Sequence, residues 1–395
     1  MARVSRPEFP APAQVTTTAE LEAVTARLRL EPFVTIDTEF VRERTYWPEL
    51  CLVQLAGKND VVVIDTLAPG LDLSSLGALL DDAGVVKVFH AARQDLEIFL
   101  HLFDRLPTAL FDTQVAAMVA GYGDQVGYDN LVSSLLGVQI DKSHRFSDWS
   151  ARPLSPAQIG YAAADVTYLR LVYGRLLEQL EQEGRLDWVA AELDILNNPA
   201  TFRPDPLTLW EKMRPRTNNR RMLGILRAVT AWREGEAQRV NVPRQRLLKD
   251  ESLMEIAATA PVTVEALARV RGVSRGFAEG RSGQSLLETV TGAMAEPEAD
   301  LPRMPKGRGK DAQRPSPALI ALLKVLLAAC CETHRVAPKL VASSEDLDRF
   351  ALDDDADIPA FHGWRNTVFG KLARELKAGR LIMGVEGGKV KLIHD

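Results

Sequence analysis

Three apolar, β-branched runs open the patterned part of the chain, at residues 33–40, 51–56 and 61–65, separated by short polar stretches such as Gly57-Lys58-Asn59-Asp60. Runs of this length and composition predict strands, and links this short imply antiparallel neighbours. Apolar positions at helical spacing over 73–82 then lead into a fourth apolar run at 85–90 and a helix over 92–103. Helical spacing returns at 113–120, 130–136 and 156–183, so the pattern predicts an α/β domain in which helices flank a mixed sheet. Ser155-Pro156-Ala157-Gln158 has the form of a capping box, with serine at the N-cap, proline at the first helical position and glutamine two residues later. It marks the start of the long helix.

Asn197-Asn198-Pro199 and Arg203-Pro204-Asp205-Pro206 break the pattern, because proline removes a backbone donor and restricts the residue before it. The first domain is therefore expected to span 1–201. Residues 202–294 carry only short helical patterns. A stretch rich in proline, glycine and charge, 295–317, includes Pro305-Lys306-Gly307-Arg308-Gly309-Lys310 and predicts a flexible linker. Residues 318–395 read as a further helical segment, and the two C-terminal segments together look like two small all-α domains.

Composition fits this division. With 395 residues, 46% hydrophobic and 26% charged, the chain is too long for one ordinary core and is composed like a soluble globular protein. The first ten residues lack the apolar core of a signal peptide, and no run of about 18 uncharged apolar residues is present, so a membrane role is excluded and a cytoplasmic location expected. Cys51, Cys330 and Cys331 cannot build a disulfide framework, consistent with a reducing compartment. The net charge of −5 is unevenly spread. Residues 1–201 hold 16 basic against 28 acidic side chains, 202–294 hold 16 against 10, and 295–395 hold 16 against 15. An acidic first part beside a basic middle suits a cation-binding catalytic domain next to a module that attracts phosphate backbones.

The candidate chemistry lies in three short motifs. Asp37 and Glu39 alternate on one face of the first strand, where two carboxylates side by side repel unless a cation joins them. Asp95 falls in the first turn of the helix after the fourth strand, a position the helix dipole favours for an acid. Tyr161 and Asp165, one turn apart, share one face of the long helix. Oxygen ligands of this kind select Mg²⁺ or Mn²⁺ over zinc. Two such ions about 3.5–4 Å apart would clamp the oxygens of an in-line displacement at phosphorus. Tyr161 would orient the attacking water, since a phenol with a pKa near 10 is a poor base at neutral pH.

Asp37-Thr38-Glu39-Phe40, His90-Ala91-Ala92-Arg93-Gln94-Asp95 and Tyr161-Ala162-Ala163-Ala164-Asp165 resemble the three exonuclease motifs of the DEDD superfamily, tyrosine subclass. Asp148-Trp149-Ser150-Ala151-Arg152-Pro153-Leu154 is similar to a segment of the ribonuclease D branch in particular. The resemblance implies a ribonuclease-H-like fold and 3′-to-5′ hydrolysis releasing nucleoside 5′-monophosphates with two divalent ions. It implies Asp37, Glu39, Asp95 and Asp165 as metal ligands and Tyr161 as the residue that orients the nucleophile. Phe40 is expected near the terminal base, with His90 and Asp112 as secondary substrate contacts.

Residues 207–292 are similar to the HRDC domain shared by RecQ-type helicases and ribonuclease D, which implies nucleic-acid contact through a patch drawn from Arg239, Arg244, Arg246, Lys249, Arg271 and Arg275. Residues 318–395 are compatible with a second, diverged HRDC-like copy, although Asp353-Asp354-Asp355-Ala356-Asp357 argues against phosphate binding there. The expected function is that of a monomeric exoribonuclease trimming the single-stranded 3′ ends of precursor tRNA and other small structured RNAs. A DNA exonuclease in repair shares every motif, and a non-catalytic RNA-binding adaptor is the alternative from another class.

Overall fold

The computed structural model of the chain describes residues 9–304 and 315–394. They divide into two compact units, one made of residues 9–39, 51–197 and 315–394, the other of 40–50 and 198–304. The first eight residues, and residues 305–314 of the expected linker, lie outside the described residues.

The first unit contains a six-stranded sheet. In chain order its elements are β1 (Ala13–Val15), α1 (Thr18–Leu28), β2 (Phe33–Val41), β3 (Glu49–Ala56), β4 (Val61–Asp65), α2 (Ser74–Leu80), β5 (Val86–Phe89), α3 (Arg93–Phe103), β6 (Leu110–Asp112), α4 (Thr113–Ala120), α5 (Tyr128–Leu136), α6 (Pro156–Gln182) and α7 (Leu186–Leu193). The spatial order is β1-β4-β3-β2-β5-β6. β3 pairs with β4 antiparallel, whereas β1 with β4, β2 with β5 and β5 with β6 are parallel, so the sheet is mixed. Val61 to Ile64 of β4 are all buried, as expected of a strand covered on both faces.

β1, α1, β6 and α7 were not anticipated from the sequence. β1 and β6 have three residues each, too few to establish a period. α1 did carry a signal: Thr17 and Glu20 form a complete capping box.

The second unit is helical: α8 (Arg220–Arg239), α9 (Arg244–Leu247), α10 (Asp250–Thr259), α11 (Val264–Leu267), α12 (Arg275–Glu279) and α13 (Arg281–Ala295). Leu223, Leu226, Leu253, Leu267, Leu286 and Val290 form its centre. Two corrections arise here. Residues 296–304 are not a loose tether: Arg220 and Arg221 donate to the Leu301 and Glu296 carbonyls at 2.7 and 2.6 Å, and Leu301 covers Gly224. The connection from β2 to β3 also belongs to this unit rather than to a domain bounded at residue 201. Tyr46, 7% exposed, hydrogen-bonds Glu234 through its hydroxyl, which also accepts from Arg244 at 2.8 Å and Gln238 at 3.1 Å. Asn241 Oδ1 accepts the backbone N–H groups of Tyr46 and Trp47, each at 3.1 Å.

The chain then returns to the first unit with α14 (Pro317–His334). Arg185, between α6 and α7, donates to the carbonyls of Val119 at 3.0 Å and of His334 at 2.6 Å, capping the C-terminus of α14. Gly121 has φ +89°, and a Cβ there would lie 2.4 Å from the Arg335 carbonyl oxygen, so both conformation and space require glycine. Trp188 stacks on Trp364 with centroids 4.6 Å apart. Glu192, whose carboxyl burial pushes above its ordinary value, accepts from Trp364 Nε1 at 3.1 Å and Arg365 Nη2 at 2.6 Å. α14 has the length and mean hydropathy, 1.5, of a bilayer-spanning helix. It nevertheless carries Lys324 and Glu332 and buries Leu323, Leu326, Leu327, Cys330 and Cys331 in the unit's own core.

After α14 come α15 (Pro338–Val341), α16 (Ser344–Leu352), α17 (Gly363–Arg365), a π-turn over Asn366–Gly370 and α18 (Lys371–Lys377). The expectation of a purely helical end fails here. β7 (Leu381–Glu386) and β8 (Lys389–His394) form an antiparallel hairpin, with Met383 and Leu392 packed on the terminal core. Gly387 and Gly388, both at positive φ, make the two-residue turn.

Removing Arg365 would leave Glu192 buried beside an apolar tryptophan pair without its cation. Arg365→Ala is expected to destabilise the first unit by about 3–5 kcal/mol, measured as a lowered urea midpoint of the full chain. A shift worth less than about 1 kcal/mol would mean that Glu192 is compensated elsewhere.

Candidate active site

β2 delivers the first two carboxylates. Its ladder with β5 runs from Phe33↔Val86 to Thr35↔Val88, and Asp37 and Glu39 follow, past the carboxyl end of that pairing, where open α/β sheets form their crevices. Strand alternation turns both to one face and Thr38 and Phe40 to the other.

α3 delivers Asp95 from a strained turn. Ala91 sits at φ +60°, a left-handed conformation that disfavours a residue with a Cβ by about 1–2 kcal/mol. Asp112 holds the turn. Its Oδ1 accepts from Ala91 N at 3.0 Å and Gln114 N at 2.7 Å, and its Oδ2 from Ala92 N at 2.8 Å. This corrects the expectation of Asp112 as a substrate contact: both oxygens are committed to backbone amides, bracing one helix and capping another. Asp95, 7% exposed, then accepts a hydrogen bond from the Thr38 hydroxyl.

α6 begins at the expected capping box, with Ser155 and Gln158 bonded reciprocally. Thr35 Oγ1 donates to the Val166 carbonyl at 2.8 Å, and the Tyr128 hydroxyl to the Asp165 carbonyl at 2.7 Å. These contacts seat the Tyr161–Asp165 face against β2.

Oxygens of Asp37, Glu39 and Asp165 lie within 4.8 Å of one another. Asp95 is outside that triangle, but its charge reaches it. Burial, and then the Asp165 charge, holds the Asp37 carboxyl well above its ordinary value. Glu39 is pushed up to about 10 by burial and by Asp37, Asp165 and Asp95. Burial and Asp37 likewise raise Asp95, against the Thr38 hydrogen bond. Asp165 is raised to about 7 by burial, countered by a hydrogen bond from Tyr161. Burial and the Asp165 charge raise the Tyr161 phenol, so it stays neutral. No lysine or arginine among the described residues pairs with Asp37, Glu39 or Asp165.

A cavity of about 290 Å³ adjoins the triangle, lined among others by Asp37, Tyr161, Asp165, His90, Tyr128 and Arg145. His90 reaches it with both ring nitrogens engaged, Nδ1 with Thr113 Oγ1 at 3.0 Å and Nε2 with the Val126 carbonyl at 3.2 Å. Burial lowers its pKa, which keeps it neutral. Phe40 is half-buried on the opposite strand face. Lys142 and Arg145 were not singled out from the sequence, because 137–155 is largely irregular and periodicity says nothing there; Tyr128, at the first position of α5, was not singled out either.

In the second unit the six expected cations divide. Arg246, Lys249 and Arg271 are exposed and form no ion pair among the described residues. Arg239 pairs with Glu236 at 2.7 Å and Arg275 with Glu279 at 2.7 Å. Arg244 is withdrawn from the patch: it is locked onto Glu234, with its guanidinium 4.9 Å from the Tyr46 ring centroid.

A family model described as 3′-5′ exonuclease matches residues 12–181, and the HRDC domain model matches 222–290. A ribonuclease D of Gluconacetobacter diazotrophicus is 73% identical over 393 residues, covering 100% of both chains. The chain belongs to the ribonuclease D family. A ribonuclease D of Granulibacter bethesdensis is 64% identical over 100% of this chain and 99% of its own. The crystal structure of Escherichia coli RNase D, described as an exoribonuclease involved in structured RNA processing, superposes with a TM-score of 0.78 at 29% identity, covering 93% of this chain and 99% of that one.

The span of the 3′-5′ exonuclease match contains all five residues of the acidic site. The donor set fits divalent metal: carboxylate oxygens only, close together, destabilised by one another and by burial, with no basic side chain to relieve them among the described residues.

The pH dependence of the metal-free protein follows. Asp165 has an ordinary value of 3.8 and a folded value of about 7, so between them the unfolded chain has lost a proton that the folded chain keeps. Its contribution to stability is present at low pH and is lost as pH rises through that window. Glu39 extends the loss toward pH 10. With chelator, the melting temperature relative to Asp165→Asn should fall between pH 4 and 7, and Mg²⁺ should raise it most at about pH 8. A flat difference would show that the cluster is relieved without metal.

Proposed function

We propose that the chain is a 3′-to-5′ exoribonuclease that hydrolyses RNA from a single-stranded 3′ end and releases nucleoside 5′-monophosphates. The observation that carries the reading is the carboxylate triangle of Asp37, Glu39 and Asp165 with Tyr161 one turn before Asp165 on the same helix, in a chain of the ribonuclease D family. Asp37, Glu39, Asp95 and Asp165 would hold two divalent ions, Mg²⁺ or Mn²⁺. Bound, such ions neutralise charge at phosphorus and ease the ionisation of water.

The side chains do the rest. Thr38 fixes one Asp95 oxygen by a hydrogen bond from its hydroxyl. Tyr161, kept neutral, hydrogen-bonds the attacking water and sets its direction, and proximity of this kind supplies much of a catalytic gain. Phe40, next along the strand from Glu39 and turned to the opposite face, is assigned to the terminal base on the family resemblance, and His90 forms part of the cavity wall. The HRDC match and the exposed Arg246, Lys249 and Arg271 support a role for 202–294 in holding the RNA body by its phosphates. The natural substrates are precursor tRNA and other small structured RNAs, processed in the cytoplasm by a monomer. Similarity to the E. coli enzyme, an exoribonuclease involved in structured RNA processing, supports this choice of substrate.

The test is a time course on 5′-labelled tRNA with a short 3′ extension and on a DNA end of matched sequence, with Mg²⁺, Mn²⁺ or chelator. A ladder shortening from the 3′ end of the RNA, lost with chelator and lost by more than about 10³-fold in Asp37→Asn or Asp165→Asn, is expected. Binding without shortening in either metal would replace the enzyme by an RNA-binding adaptor, and equal shortening of DNA would remove the restriction to RNA.

A further inference from the structure

Asp148-Trp149-Ser150-Ala151-Arg152-Pro153-Leu154 lies in the largely irregular segment between α5 and α6 and adds no carboxylate to the triangle. Arg152 is its anchor. A guanidinium has five N–H donors in a rigid fork, and here every one is used. Nε and Nη2 grip the two oxygens of Asp65 at 2.7 and 2.6 Å, at the end of β4. Nη2 also donates to the Cys51 carbonyl on β3 at 3.0 Å. Nη1 donates to the carbonyls of Trp149 at 2.7 Å and Ala151 at 2.8 Å. The backbone of Trp149 is thereby tied to two strands of the sheet.

The Trp149 indole is 3% exposed and lies 6.0 Å, centroid to centroid, from the Tyr161 ring at an interplanar angle of 35°. His144 meets the same ring edge-on at 6.3 Å. Both distances are within the range of aromatic pairing. The indole Nε1–H makes no hydrogen bond among the described residues, so Trp149 contributes shape rather than a polar contact. Tyr161 itself is partly exposed to the cavity, one helical turn from Asp165. A tyrosine in that setting has rotamer freedom unless its ring is confined.

We infer that Trp149 is a positioning residue for the hydrolytic step, confining the Tyr161 ring so that its hydroxyl stays directed at the attacking water, and that the Arg152–Asp65 fork supports Trp149 in turn. The inference rests on the role proposed above for Tyr161. Trp149 touches no reacting atom and acts through the phenol.

A double-mutant cycle tests it, on the full-length chain with Mg²⁺ and a short 5′-labelled RNA under single-turnover conditions. Trp149→Leu should lower the cleavage rate about ten- to a hundredfold while half-saturation changes less than about twofold. In the Tyr161→Phe background the same substitution should cause no further loss, because the group it positions is gone. Trp149→Phe, which keeps an aromatic wall, should stay within about threefold of the parent rate. Arg152→Lys, which cannot form the fork, should repeat the pattern more weakly, and stands in for Trp149→Leu if that variant melts below the assay temperature. Losses that multiply in the Tyr161→Phe background, or an unchanged rate in Trp149→Leu, would overturn the positioning role. An unchanged rate in Tyr161→Phe alone would overturn it together with the role of the phenol, while the Asp37→Asn result would still stand for the metal site.

Discussion

Repulsion among carboxylates that the fold holds together is the constraint on which the rest of this structure depends. Asp37, Glu39 and Asp165 are crowded within 4.8 Å, with Asp95 close enough to add to their field, and no cationic side chain among the described residues pairs with the three. Such an arrangement is unfavourable for the folded chain alone and is sustained by what surrounds it. Thr38 hydrogen-bonds Asp95, Tyr128 holds the Asp165 backbone, and Asp112 braces the strained turn from which α3 departs. Each of these contacts keeps an acid where it would not otherwise stay.

The scaffold achieves this by over-determining two elements. β2 is paired to β5 up to Thr35, and Thr35 also reaches across to the Val166 carbonyl, so strand and helix cannot slide past one another without losing a buried hydrogen bond. α6 is capped at its start and tied again in its middle by Tyr128. Beyond Glu39 the chain enters the segment whose Tyr46 is bonded to Glu234, Arg244 and Gln238. The strand that carries two acids thus continues directly into a buried polar knot of the helical unit.

The terminal segment serves the catalytic unit as structure. Arg185, Gly121, the Trp188–Trp364 stack and the Glu192–Arg365 pair bind it to α4 and to the end of the α6–α7 pair. α14 places Leu323, Leu326, Leu327 and both cysteines in that core, while Leu322 and Val325 stay exposed. The acidic run of the terminal segment is partly engaged at home, with Asp354 paired to Lys377 and Asp357 hydrogen-bonded to His362.

How much of this was legible in the sequence depends on range. Strand alternation placed Asp37 and Glu39 on one face, helical spacing placed Tyr161 with Asp165, and the capping box located the start of α6, because each rests on bonds between residues a few positions apart. Resemblance to a family joined those motifs into one site, which no period could do. Asp112 and Arg244 were misjudged for the opposite reason: an acid ending a strand and an arginine in a basic stretch look available until their distant partners, Ala91 and Glu234, are in place. The terminal hairpin was missed although Gly387-Gly388 between two six-residue runs is a local hairpin signal, whereas a tail packed over Gly224 has no local signature. The sequence by itself determined which groups could do the chemistry and on which elements they stand, since local backbone geometry follows from local composition. Only the tertiary structure decided which of them remain free to act, because satisfaction of a charge or an amide depends on residues far away in the chain.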